Sequence, residues 1–136
     1  MMSTTATIKY LGELRTEATH TRSANRLITD APVDNNGKGE AFSPTDLLAT
    51  ALAGCMLTVM GIKAQSMGFD LEDASADVVK IMESNPRRVG EVQVVISLKQ
   101  NCDEHARKVL ESTGLNCPVA KSLSADLKQT ISFKWN

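Results

Sequence analysis

Ser43-Pro44-Thr45-Asp46-Leu47-Leu48-Ala49-Thr50-Ala51-Leu52-Ala53-Gly54-Cys55 opens the longest apolar stretch of the chain. Its first four residues carry a helix start. Ser43 can cap the free N–H groups, Pro44 suits the first helical position, where its missing N–H costs nothing, and Asp46 can close a capping box and meet the positive helix end. The pattern predicts a helix that runs to Gln65 or Met67 and stops at Gly68. From Leu47 to Ile62 it is apolar or small on nearly every face, so other elements must cover it all round. The sheet of one small domain rarely does that alone, and a second subunit is expected to help. As a membrane span the stretch is short and mild, since a bilayer takes about 20 apolar residues. A buried helix is the expectation.

Outward toward the N-terminus the sequence is rich in threonine and alternates weakly. Ala6 to Leu11, Leu14 to Thr19 and Arg26 to Thr29 read as short strands of a meander, with Gly12 and Arg22-Ser23-Ala24-Asn25 supplying turns. Asp30 to Glu40 is all turn chemistry and reads as a mobile surface loop.

Toward the C-terminus, Asp73 to Glu83 and Val89 to Lys99 alternate with period two, with Val92, Val94, Ile96 and Leu98 on one face. They predict a hairpin whose solvated loop holds Asn85-Pro86-Arg87-Arg88. Asp103 to Ser112 reads as a surface helix with Ala106, Val109 and Leu110 inward, ended by Gly114. Cys117-Pro118 starts a short helix through Leu123 or Leu127, and Gln129 to Trp135 is a closing strand. This order gives an α+β class in one domain, 1–136, without a regular βαβ repeat.

The 136 residues and 42% apolar content suit one ordinary core. A net charge of -1 with no long run of either sign excludes the footprint of a nucleic-acid or polybasic membrane binder. Met1 to Tyr10 has no apolar signal region, so the cytoplasm is the expected location. Three cysteines there argue for a free or reactive thiol rather than a disulfide framework. Neither CxxC nor a His ladder supports a metal site, and no cofactor is expected. His20 and His105 lack ligand spacing, and Met56, Met60 and Met67 are spaced as helix packing.

Two segments and their order resemble the OsmC/Ohr family: Ser43 to Cys55 is similar to its first cysteine helix, and Asn116-Cys117-Pro118-Val119-Ala120-Lys121-Ser122 to its second cysteine turn. The approach through Gly37 and Gly39 and the strand pair between the cysteines fit the same pattern. The resemblance implies an intertwined homodimer, with central cysteine helices packed between antiparallel sheets built from both chains. It also implies a cofactor-free thiol peroxidase acting on organic hydroperoxides. Cys55 would become a sulfenic acid, Cys117 would condense with it to a disulfide, and a small dithiol or lipoyl-type reductant would restore both.

A thiol in an apolar helix is pushed away from ionisation, so peroxide chemistry needs a cation beside Cys55. The helix dipole fades within a turn and Cys55 lies about three turns in. Leu48, Ala51, Leu52, Thr58, Val59 and Ile62 flank Cys55 on its own helix, and none is charged. The family resemblance implies an arginine from the N-terminal strands; Arg15 is the first choice, with Arg22 and Arg26 as substitutes. The partner glutamate of that arginine normally follows the helix-start proline, where this chain has Thr45. At roughly 100° per residue Asp46 falls on the opposite side from Cys55, so Asp46 is a cap. Glu13, Glu17 and Glu40 are the acids that could replace the glutamate.

Cys117, at a helix N-terminus, suits a resolving thiol because free N–H groups favour its thiolate or make it a better leaving group. Cys102 lies outside the resembling segments and receives no role. The rival to a peroxidase is a non-enzymatic dimer with the same fold, acting as a thiol redox sensor or a small-molecule binding module.

Overall fold

A computed structural model describes residues 3–99 and 102–136, in two compact units divided between Leu47 and Leu48. In the first unit, β1 (Ala6–Gly12), β2 (Arg15–His20) and β3 (Arg26–Asp30) form an antiparallel sheet in that order, close to the predicted strands. Strand register sets Arg15 opposite Asp30. Asp30 is therefore the end of a strand, not the start of a loop.

The segment after β3 is not a slack loop. The Gly37 N–H donates to the Pro32 carbonyl at 2.9 Å, and the Gly39 N–H to the Ala31 carbonyl at 3.2 Å. A Cβ at Gly37 would lie 1.7 Å from the Ala31 oxygen, so only glycine fits this turn.

Helix α1 (Pro44–Ser66) begins as predicted. The Asp46 N–H donates to Ser43 Oγ at 3.0 Å and the Ser43 N–H to Asp46 Oδ2 at 2.9 Å, a reciprocal capping box. The complete helix is longer than its Leu47–Ile62 body, and by length and composition alone it could cross a membrane. What it does in the second unit is supply core: Leu52, Met56, Met60 and Ala64 on one face are buried.

The second unit holds a sheet of β4 (Ser75–Glu83), β5 (Arg88–Leu98) and β6 (Lys128–Trp135), with α2 (Glu104–Leu115) and α3 (Pro118–Ser122) between β5 and β6. β4 and β5 make the predicted antiparallel hairpin. β5 and β6 run parallel, which corrects the expectation of purely antiparallel sheets. The cause is the helical segment between them, which carries the chain back to the starting end of β5 as a crossover. Val92, Val94, Ile96 and Leu98 point inward from β5 against the buried face of α1 and Leu110 of α2. Full burial of each such side chain stabilises the fold by about 1.5–3 kcal/mol.

Helix α2 buries Ala106 and Leu110 as expected, while Val109 is half-buried. It does not end at Gly114: the helix continues through this buried glycine to Leu115. Its outer end is tied to β6, because Trp135 Nε1–H donates to Glu111 Oε2 at 2.8 Å and the Arg107 guanidinium lies 5.5 Å from the Trp135 ring centre.

Candidate functional site

Cys55 is half-buried in the middle of α1, and Cys117, only 1% exposed, caps α3. Pro118 pins the start of that short helix, which orients Cys117 so that its Sγ accepts the Ala120 N–H at 3.4 Å. The two cysteines, distant in sequence, come near each other: Cys55 is among the groups that raise the Cys117 thiol. Both are free thiols and both pack with the apolar core of the second unit.

Burial is the main force pushing the Cys117 thiol above its ordinary range, and the hydrogen bond and charge at Cys55 push the same way. The backbone N–H groups of Ala120 and Val119 pull in the other direction and lose. The helix start thus favours the Cys117 thiolate as expected, but burial outweighs it. Two thiols this near each other can give up two electrons as a disulfide. Cys102 packs against the same core. An open groove of about 330 Å³ lined by Leu57, Gly61, Gln65, Asp70, Leu71, Glu72 and Ala74 includes neither sulfur.

In the first unit, Arg15 is held by two carboxylates. Its Nε donates to Asp30 Oδ1 at 2.7 Å, its Nη2 to Asp30 Oδ2 at 2.8 Å, and Nη2 also to Glu40 Oε1 at 3.1 Å. Asp30 Oδ2 further accepts the Glu40 backbone N–H at 3.2 Å, so a carboxylate that is 1% exposed is fully engaged. The hydrogen bond from Arg15 leads in holding the Asp30 carboxyl below its ordinary range, and Asp30 holds the Arg15 guanidinium above its own. Nη1 of Arg15 has no partner among the described residues.

Of the three acids considered for this arginine, Glu40 reaches it, and Glu13 is engaged by Lys38 at 2.8 Å instead. The principal partner, Asp30, escapes sequence reading because it sits among turn residues. Pairing the two strands in antiparallel register would have revealed it, since that register puts Asp30 across from Arg15. Arg22 and Arg26 are exposed.

The family model described as OsmC-like protein matches residues 37–132, a span that includes both cysteines. A crystal structure from Psychrobacter arcticus, provisionally assigned as an osmotic stress induced and detoxification response protein, is 52% identical. It superposes with a TM-score of 0.94 over 98% of this chain and 97% of that one. An organic hydroperoxide resistance protein OsmC from Legionella pneumophila shares 18% identity and a TM-score of 0.72, covering 98% and 99% of the two chains. The organic hydroperoxide resistance protein OhrB of Bacillus subtilis shares 15% identity and a TM-score of 0.68, covering 96% and 98%. Among curated proteins, none matches the chain. With the capped cysteine helix, the second cysteine turn and the α+β fold that joins them all in place, this chain belongs to the OsmC-like protein family.

Proposed function

We propose that this protein is a thiol-dependent peroxidase that reduces organic hydroperoxides. The proximity of Cys55 to Cys117, two free thiols packed in one core, carries the reading. The Cys55 thiolate attacks one peroxide oxygen, the O–O bond breaks, and the alcohol leaves with a proton, so that Cys55 becomes a sulfenic acid. Cys117 then attacks the Cys55 sulfur, its proton and the sulfenic oxygen leave as water, and a disulfide forms. A small dithiol, of the lipoyl type, returns two electrons by exchange and is itself oxidised.

Arg15 is the cation assigned to the Cys55 thiolate. A guanidinium keeps its charge when partly buried, and the Asp30 and Glu40 contacts hold its orientation while Nη1 stays open to another acceptor. Asp30 and Glu40 then do what the helix-start glutamate does in the resembling family, at a position where this chain has Thr45.

A homodimer is part of the reading. Beside its buried face, α1 exposes Ala51, Gly54 and Thr58, with Ile62 at 62% exposure, and the first sheet exposes Ile8 and Tyr10. A second copy covering such surfaces removes the apolar area from water. Three free thiols support a reducing, cytoplasmic location.

The deciding experiment is turnover of cumene or tert-butyl hydroperoxide with dihydrolipoamide, comparing wild type with Cys55→Ser and Cys117→Ser. Turnover abolished by Cys55→Ser supports the reading; a Cys55 that stoichiometric peroxide leaves unchanged overturns it. One observation favours a second reading, a redox sensor. Cys117 at 1% exposure is poorly placed for an external reductant, and a sensor would form the disulfide once without sustained turnover.

A further inference from the structure

Gly114 lies in the last turn of α2, at a helical position that does not call for positive φ. Glycine is less favourable than alanine inside a helix, so its presence needs a reason. The reason is space. A Cβ on Gly114 would lie 2.8 Å from Met60 Sδ, 3.2 Å from Met60 Cγ and 3.6 Å from Met56 Cε. Met60 and Met56 are fully buried, so neither thioether can swing into solvent to make room.

Both methionines belong to the helix that carries Cys55, and Met56 follows it directly. The other side of Gly114 leads to the second thiol: its carbonyl accepts the Cys117 N–H at 3.3 Å. One residue thus touches the Cys55 helix through its bare Cα and holds the Cys117 backbone through its oxygen.

We infer that Gly114 is a positioning residue for disulfide formation, setting how close Cys117 comes to Cys55. This rests on the thiol peroxidase reading for its catalytic meaning. A side chain at 114 pushes the end of α2 away from Met60 and carries Cys117 outward with it. Attack of peroxide on Cys55 does not use that spacing, whereas condensation of the Cys55 sulfenic acid with Cys117 does. The two steps therefore separate.

The test is single-turnover oxidation of reduced Gly114→Ala by cumene hydroperoxide, with mass spectrometry following the dimedone-trapped sulfenic acid and the Cys55–Cys117 disulfide. Loss of the first step should stay within about twofold, while disulfide formation slows about tenfold or more and the dimedone adduct accumulates. Met60→Ala removes Cγ, Sδ and Cε, so Gly114→Ala/Met60→Ala should recover the disulfide rate to within about threefold of wild type. Wild-type disulfide formation in a folded Gly114→Ala overturns the inference, as does a double variant that stays slow. If Gly114→Ala does not fold, the double variant decides alone on the same criterion.

Diamide separates this claim from the peroxidase reading, because it accepts the two electrons and both protons of the thiol pair without any peroxide. If wild type ignores peroxide, the peroxidase reading fails. The same loss and rescue measured with diamide then still support the positioning role, and equal diamide rates for wild type and Gly114→Ala overturn it.

Discussion

Asp30 takes the guanidinium of Arg15 along one edge, with Nε to Oδ1 at 2.7 Å and Nη2 to Oδ2 at 2.8 Å, from the position directly opposite it on the neighbouring strand. Two parallel charge-assisted bonds fix the plane of a guanidinium as well as its place. Asp30→Asn keeps one acceptor and loses the charge. On the role proposed for Arg15, it should lower kcat/KM for cumene hydroperoxide by about tenfold or more. Glu40→Gln should change it by less than about threefold, because Glu40 is 65% exposed and its single contact is solvent-screened. Equal losses in the two variants would contradict the ranking of these carboxylates.

The same pair sets a pH dependence. Hydrogen bonding from Arg15 leads in holding the folded Asp30 below its ordinary value of 3.8, so the unfolded chain takes up this proton first on acidification. The stability that ionised Asp30 contributes is complete above the ordinary value and is lost as pH falls through the depressed folded one. Urea midpoints of wild type and Asp30→Asn should therefore be separated by a constant gap at neutral pH that closes in acid. A gap that widens in acid would contradict the sign.

Much of the second unit was readable because period and burial coincide there. Val92, Val94, Ile96 and Leu98 alternate without exception, and each is buried. The Ser43–Asp46 cap was readable because every bond in it is local. The parallel partner of β5 was not, since strand direction depends on a crossover that alternation does not encode. Asp30 was hidden by turn-forming neighbours, and Gly114 read as a stop because its lack of a side chain serves packing against Met60 rather than chain reversal. Cys55 and Cys117 could be named from their motifs, but their meeting depends on how α2 packs on α1. The sign of the Cys117 shift depends on burial that only the folded core creates.

Trp135 is the one tryptophan, and its indole N–H reaches Glu111 at 2.8 Å while Arg107 stacks on its face. Trp135→Phe loses the hydrogen bond and keeps an aromatic face. It should cost about 1–2 kcal/mol in chemical denaturation, near the low end for a bond to a charged acceptor because the group is partly solvated. Glu111→Gln keeps an acceptor and should cost less than about 1 kcal/mol. Indole fluorescence should shift to the red in Glu111→Ala if the contact fastens β6 to α2 in solution, and an unchanged spectrum would argue against it.

Cys117 offers the most direct view of burial at the thiol pair. Burial is the largest cause lifting its thiol above the ordinary 9.0, and it does not depend on Cys55. In Cys55→Ser the contribution of the neighbouring sulfur goes and the burial stays. Alkylation of Cys117 by iodoacetamide in that variant should therefore reach its half-maximal rate above pH 9.0, and below that pH run slower than that of a thiol in urea-unfolded chain. The linkage has a matching sign: a folded group with a raised value contributes its stability fully below the unfolded value and loses it as pH rises through the folded one. Wild type should thus lose stability relative to Cys117→Ser as the solution becomes alkaline, with both measured reduced. Half-maximal alkylation at neutral pH would mean that the Ala120 and Val119 N–H groups outweigh burial after all, and that Cys117 stands ready as a thiolate before Cys55 is oxidised.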